Sequence, residues 1–168
     1  ANCGNNLIYS GTVSAATEAA MMGVTSMAVS LDTHREADFS FAARTARRLV
    51  RFLAANSLFA GGAFNVNVPF LPQEQILGVA VVRQGRGRTI ETFERRVDPR
   101  DNIYYWMSGE KAAGAQDIGT DVGALAAGYV TLTPIQYDLT RYDALAPLKK
   151  TADALFSGSE APERDFSE

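Results

Sequence analysis

Residues Ser10 to Leu31 read SGTVSAATEAAMMGVTSMAVSL, and they hold one helix and one buried strand back to back. Ser10, Gly11 and Thr12 are loop and cap residue types, and a hydroxyl at Ser10 or Thr12 can satisfy the unpaired N–H groups of a first helical turn. The Ala-rich run that follows predicts a helix to Met22, with Gly23 in the position just past its end. Val24 to Leu31 is a short and mostly apolar run, the pattern of a strand covered on both faces.

Working outward, the same alternation recurs. Asp38 is placed to cap a long helix from Phe39 to about Asn56. Its Ala42, Thr45, Ala46, Leu49, Val50 and Leu53 repeat at three-four spacing, while Arg44, Arg47, Arg48 and Arg51 lie mainly elsewhere. Gly61 and Gly62 break the pattern, and Ala63 to Val68 (AFNVNV) forms a second strand stopped by Pro69. Helix and buried strand in alternation predict an α/β sheet, mostly parallel. Only two of its strands are read here. Two strands make a poor sheet, so the remainder is expected from chain preceding Ala1.

After about Leu77 the character changes. Val79–Arg83, Ile90–Val97 and Ile103–Met107 read as an extended meander joined by Gly, Arg, Asp and Pro turns. A short helix from Thr120 to Ala127, closed by Gly128, leads to a strand Tyr129–Thr133 ended by Pro134. Thr140 is a candidate cap for a last helical region to Phe156, which Pro147 should kink or divide. Residues 157–168 are polar and read as a disordered tail. The expected organisation is therefore a Rossmann-like portion over 1–76, a β-hairpin and helix extension over 77–156, and the tail.

Composition sets outer bounds. The 168 residues carry 46% hydrophobic and 21% charged side chains, ordinary for a globular chain. Sixteen basic residues against 19 acidic ones leave a net charge of -3, which gives no general attraction to nucleic acid or to an anionic membrane. The single cysteine, Cys3, excludes an internal disulfide framework and suits a cytoplasmic setting. No apolar run approaches the ~20 residues that span a bilayer.

The chemistry-bearing stretch is Ala1 to Val13, ANCGNNLIYSGTV. It gathers Asn2, Asn5, Asn6, Ser10, Gly11 and Thr12 at a helix entrance, where free N–H groups and about half a positive charge favour an anion. Such an entrance can hold a phosphate without a basic side chain, or be an ordinary capped helix. It lacks the Gly-Lys-Ser/Thr end of a Walker loop and the glycine triplet of a dinucleotide fingerprint. Other candidates read as structural or surface features. His34, the only histidine, stands in a charged loop with no partner histidine. Gln84 to Arg88 (QGRGR) reads as a hairpin turn with solvated arginines. Asp117 and Asp121, four apart, suit helix capping or surface exposure better than a metal. Tyr104, Tyr105 and Trp106 fit strand packing as well as base stacking.

Three runs taken together and in order carry a resemblance: Gly4 to Leu31 (GNNLIYSGTVSAATEAAMMGVTSMAVSL), Asn65 to Pro69 (NVNVP) and Gly119 to Thr140 (GTDVGALAAGYVTLTPIQYDLT). They resemble the SurE family of survival-protein phosphatases, which act on nucleoside 5′- and 3′-monophosphates. The resemblance implies a Rossmann-like three-layer α/β fold with a β-rich C-terminal extension for self-association into a dimer or tetramer. It also implies a divalent metal, Mg2+ or Mn2+, held by an adjacent Asp-Asp pair, a Ser, and the Asn of a Ser-Gly-Ile-Asn motif. None of these ligands is in this chain, and Ala1 falls just after that motif would end, so the ligands are expected upstream. What carries over is Asn2, Ser10, Gly11 and Thr12 on the phosphate side, with Ser10 and Thr12 as catalytic stabilisers of phosphoryl charge. The competing reading is a non-catalytic oligomerising or anion-binding α/β module.

Overall fold

The computed structural model describes residues 1–33, 35–86, 88–113 and 117–156. Helix α1 (Gly11–Met21) begins on Ser10, whose hydroxyl accepts the Val13 N–H at 3.2 Å. It ends at Gly23, where φ is +80, a backbone region that glycine enters without a Cβ clash. Strand β1 (Ser26–Leu31) follows. Helix α2 (Ser40–Ala54) starts two residues beyond Asp38, whose carboxylate accepts both the N–H and the hydroxyl of Ser40, at 2.8 and 2.5 Å. Those bonds hold the Asp38 carboxyl below its ordinary pKa.

Strand β2 (Ala63–Val68) is buried along its whole length and pairs with β1 in parallel, Ser26 opposite Ala63 through Leu31 opposite Val68. Because successive side chains alternate between faces, β2 serves two different layers. Phe64, Val66 and Val68 join Leu49 and Leu53 of α2 in the main apolar core. On the opposite face, Val13 and Ala16 of α1 pack on Ala28 of β1 in a smaller cluster. The three-layer α/β/α arrangement expected from the sequence is present.

The sheet is mixed, however, and it is not confined to two strands. Its order is β1-β2-β6-β3, with β3 at Val79–Val81 and β6 at Val130–Ile135. β3 and β6 are parallel to each other, and β6 is antiparallel to β2. The reversal follows from the link between Val68 and Val79, which holds Pro69, Pro72 and a 3-10 turn at Gln73–Gln75. A link so short cannot carry the helical crossover that a parallel return needs. Two of its three pairings are parallel, as expected, but the expectation of two strands is corrected: the stretch read as extension supplies two of its four strands. β1 pairs with β2 on one edge, and no other described strand pairs with its second edge.

Pro134 does not end β6, which runs to Ile135. β3 reaches only as far as Leu132, so the donor Pro134 lacks would face no partner strand on that side. Just before β6 in the chain comes α3 (Asp121–Ala126), capped by the Thr120 hydroxyl, which accepts the Gly123 N–H. Strands β4 (Arg88–Val97) and β5 (Ile103–Ala113) form a separate antiparallel pair with an irregularity at Thr92/Phe93. The expected meander is therefore one hairpin plus a strand, β3, that belongs elsewhere. One compact unit covers Ala1–Tyr137 and a second starts at Asp138, a division that does not coincide with 76/77. In the second unit, α4 (Tyr142–Phe156) continues through Pro147. The N–H that Pro147 lacks would have reached Asp143 in the first turn, so only one bond is lost. Thr140 stands two residues ahead of this helix and does not cap it; its N–H is accepted by Asp138 at 2.9 Å.

Candidate anion site at the entrance of helix α1

α1 precedes β1 and runs antiparallel to it, so its N-terminus lies over the carboxyl ends of β1 and β2. That is where open α/β sheets place their ligands. The Ser10 hydroxyl oxygen is used by the cap, and Ser10 is only 8% exposed. Its O–H remains as one donor. Gly11 and Thr12 are exposed. Their N–H groups belong to the first turn, which has no intrahelical acceptor for them. A Cβ built on Gly11 would meet nothing within 4 Å, so the glycine leaves the space outside the helix end open and serves no internal packing.

Asn2 is clamped against the later residues of β1 and β2. Its backbone N–H donates to Asn67 Oδ1 at 2.7 Å, and its carbonyl accepts from Asn65 Nδ2 at 2.7 Å and Asn67 Nδ2 at 3.2 Å. Its side-chain amide donates to Ser30 Oγ at 2.6 Å. Asn67 thus engages both backbone groups of Asn2, as a neighbouring strand would. The alternation within β2 explains how this arises: Asn65 and Asn67 are 0% exposed and share the sheet face that carries no α2 core residue.

The next turn is held from the far end of the chain. Asp121 is 0% exposed, yet its carboxylate accepts three backbone N–H groups: Gly4 at 2.9 Å, Gly85 at 2.7 Å and Val122 at 2.8 Å. Gln84 Nε2 adds a bond to the Gly4 carbonyl at 2.8 Å. Two glycines make room for this approach. Gly4 has φ +55, and a Cβ there would come to 3.1 Å from Val122; a Cβ at Gly85 would come to 3.0 Å from Asp121 Oδ1. Cys3 lies between Asn2 and Gly4. Burial, then the negative charge of Asp121, pushes its thiol up to about 12. A thiol so disfavoured as thiolate is no nucleophile.

Several sequence readings change here. Gln84 and Gly85 are not a solvated hairpin turn; they brace the Asn2–Gly4 loop. Asp121 is buried and does not cap a helix, because Thr120 does so, whereas Asp117 lies at the surface, one of the two places read for it, and bonds Arg83 at 2.7 Å. Trp106 lies under Arg96, 5.2 Å from its ring centroid, on a hairpin face away from Tyr105. His34 lies outside the described residues. The brace residues Asn65, Asn67, Gln84 and Asp121 were missed as site residues. One signal was available: polar side chains at every second position of a strand that reads as buried on both faces.

A divalent cation needs oxygen ligands that include carboxylates. Asp121 is spent on three N–H groups, and among the described residues no three His, Cys, Asp or Glu side chains are grouped to hold a metal. The described donors therefore do not fit a divalent cation. Among the same residues no helix is long and apolar enough to cross a membrane.

The chain is similar to known proteins over most of its length. The family model for survival protein SurE matches residues 1–91. The chain is 53% identical over 150 residues to a 5′-nucleotidase SurE from Syntrophus aciditrophicus, covering 89% of this chain and 56% of that protein. It is 49% identical to a 5′-nucleotidase SurE from Syntrophobacter fumaroxidans, covering 89% and 60%. The crystal structure of a SurE protein from Aquifex aeolicus superposes with a TM-score of 0.78 at 33% identity, covering 91% of this chain and 62% of that one. The chain thus spans 56% and 60% of the lengths of these two curated relatives.

Proposed function

Because this chain belongs to the SurE family, we propose that the protein is a nucleotidase, a metal-dependent phosphomonoesterase of nucleoside 5′- and 3′-monophosphates. The observation that carries this reading is the open entrance of α1, preceded by a loop braced at Asn2 and Gly4, in a chain whose curated relatives bear the name 5′-nucleotidase. Membership in the family implies metal-dependent catalysis in general; Mg2+ or Mn2+ would polarise a phosphoryl oxygen and activate a water when bound. The described residues do not supply that centre, so this chain's own part lies with the anion.

In this reading a phosphoryl group approaches the N–H groups of Gly11 and Thr12 along the axis of α1. The helix end contributes about half a positive charge without a basic side chain. The Thr12 hydroxyl and the Ser10 O–H add two donors. Negative charge grows on the phosphoryl oxygens as the ester bond breaks, and donors already aimed at them lower the barrier. Asn2 flanks the anion, with its backbone held by Asn65 and Asn67.

The hairpin β4–β5 fits self-association. One of its faces carries Phe93, Val97, Ile103, Tyr105 and Met107, between 50% and 67% exposed. Apolar and aromatic surface of this kind is what interfaces bury. The second reading, a non-catalytic anion-binding module, is favoured only by the lack of a grouped metal-ligand set among the described residues.

Phosphate release from nucleoside monophosphates in the complete protein tests the proposal. Thr12→Ala should lower kcat on the order of 100-fold, the cost of one lost stabilising donor. Because Thr12 is exposed, stability should be unchanged. Unaltered turnover would reduce Ser10–Thr12 to a structural cap.

A further inference from the structure

Three buried oxygens next to the Asn2 clamp have no hydrogen-bond partner among the described residues: Asn65 Oδ1, Thr131 Oγ1 and Thr133 Oγ1. Their residues are 0%, 0% and 1% exposed. They belong to one patch. In the ladder between β2 and β6, Asn65 lies opposite Thr133 and Asn67 opposite Thr131. Side chains directly opposite on an antiparallel pair stand about 4.5–5.5 Å apart at Cβ. All four are thus on the sheet face that carries Asn2, away from the α2 core.

Buried polar atoms are nearly always paired, because leaving one unpaired forfeits the water it gave up. The chemistry of this trio defines its partner. Asn65 Oδ1 is a carbonyl oxygen and only accepts, and the bond from the same amide's Nδ2 to the Asn2 carbonyl at 2.7 Å fixes which end of the amide is left over. Each threonine hydroxyl has a proton to donate. A water molecule donates to the first and accepts from the other two, making about the three bonds typical of a buried water. An anion fails at Asn65, and an apolar group satisfies none of the three.

We propose that an ordered water is built into this layer, bridging Asn65 to Thr131 and Thr133, and that these threonines are positioning residues for Asn2. Through the water, β6 fixes the orientation of the Asn65 amide, and that amide holds the Asn2 carbonyl. The functional half of this inference rests on the anion-site reading; the structural half does not.

The test is Thr133→Val, which keeps the shape and removes the hydroxyl, with Thr133→Ser as rescue and Thr131→Val as the parallel case. If the water is present, Thr133→Val strands Asn65 Oδ1. The urea midpoint should fall, KM for a nucleoside monophosphate should rise roughly tenfold at little changed kcat, and Thr133→Ser should restore both. A crystal structure of the unsubstituted protein should show solvent density within hydrogen-bond reach of Asn65 and Thr133. If the hydroxyls have no partner, removing one relieves an unpaired group, and the midpoint should hold or rise. That sign, or an empty density map, would overturn the inference. A lowered midpoint with KM unchanged would overturn the positioning role. A protein with no nucleotidase activity at all sinks the reading of function, while the midpoint and the density still decide the water.

Discussion

Replacing Asp121 by asparagine changes one oxygen to an amide and creates no cavity, so it isolates what the buried charge does. Oδ1 accepts from Gly85 and Val122, and Oδ2 accepts from Gly4. If the asparagine keeps its oxygen toward Gly85 and Val122, its Nδ2 faces the Gly4 N–H, donor against donor. A stranded buried donor costs about 1–3 kcal/mol, and the two remaining bonds lose the strength that a charged acceptor gave them. The expected loss is at least ~2 kcal/mol, a large share of the roughly 5–15 kcal/mol that holds a domain folded. With a urea slope of about 1–3 kcal/mol/M, the midpoint should fall by ~1 M. Urea titration followed by tryptophan fluorescence and by circular dichroism measures this. A change below ~0.5 kcal/mol, the size of an ordinary surface substitution, would refute the claim that Asp121 anchors the Gly4 turn.

Three further outcomes are expected. Ser10→Ala should cost about 1 kcal/mol as a lost N-cap, visible in thermal melts, while Ser10→Gly should cost only a few tenths. The Cys3 thiol, with an ordinary pKa of 9.0 raised to about 12, stays protonated in the fold at pH values where the unfolded chain ionises. Its contribution is therefore intact below pH 9 and is lost as pH rises toward 12; Cys3→Ala should flatten the stability profile in that window, and an unchanged slope would count against the burial described. Phe93→Lys on the exposed hairpin face should weaken self-association in sedimentation velocity without altering the far-ultraviolet spectrum; a monomeric unsubstituted protein at micromolar concentration would remove the interface reading.

The helix α1, its Ser10 cap and the strand Ala63–Val68 were legible because local rules decide them: a cap residue, an Ala-rich run, a Pro stop. What the sequence could not reveal depends on contacts between distant residues. Nothing local says that β6 lies against β2 rather than in an appendage, or that Pro134 falls where its missing donor faces no partner strand. Gln84–Gly85 looks like a turn by composition, and only the tertiary fold brings it onto Gly4. Asp121 reads as a helix-start acid because its N-terminal position in α3 is favourable for any carboxylate; its three N–H partners come from three separate segments. The candidate anion residues were proposed from a motif, whereas the side chains that brace Asn2 and Gly4 belong to no such motif.

Those anchoring bonds also impose an order of events on folding. Asn2 is joined to Asn67 across 65 residues, Gly4 to Gln84 across 80, and Gly4 to Asp121 across 117. Contacts so remote along the chain are slow to form, since loop closure comes before any reward. As the polypeptide emerges from the ribosome, α1, β1, α2 and β2 can assemble early, but the turn at Gly4 has no carboxylate to bind until residue 121 has been synthesised and α3 is in place. Synthesis at about 5–20 residues per second then sets a delay of several seconds between the appearance of the helix entrance and its completion. During that interval the nascent protein would hold α1 and the β1–β2 pair and lack the carboxylate that braces the Gly4 turn, with Val130 and Leu132 of the main core still to come.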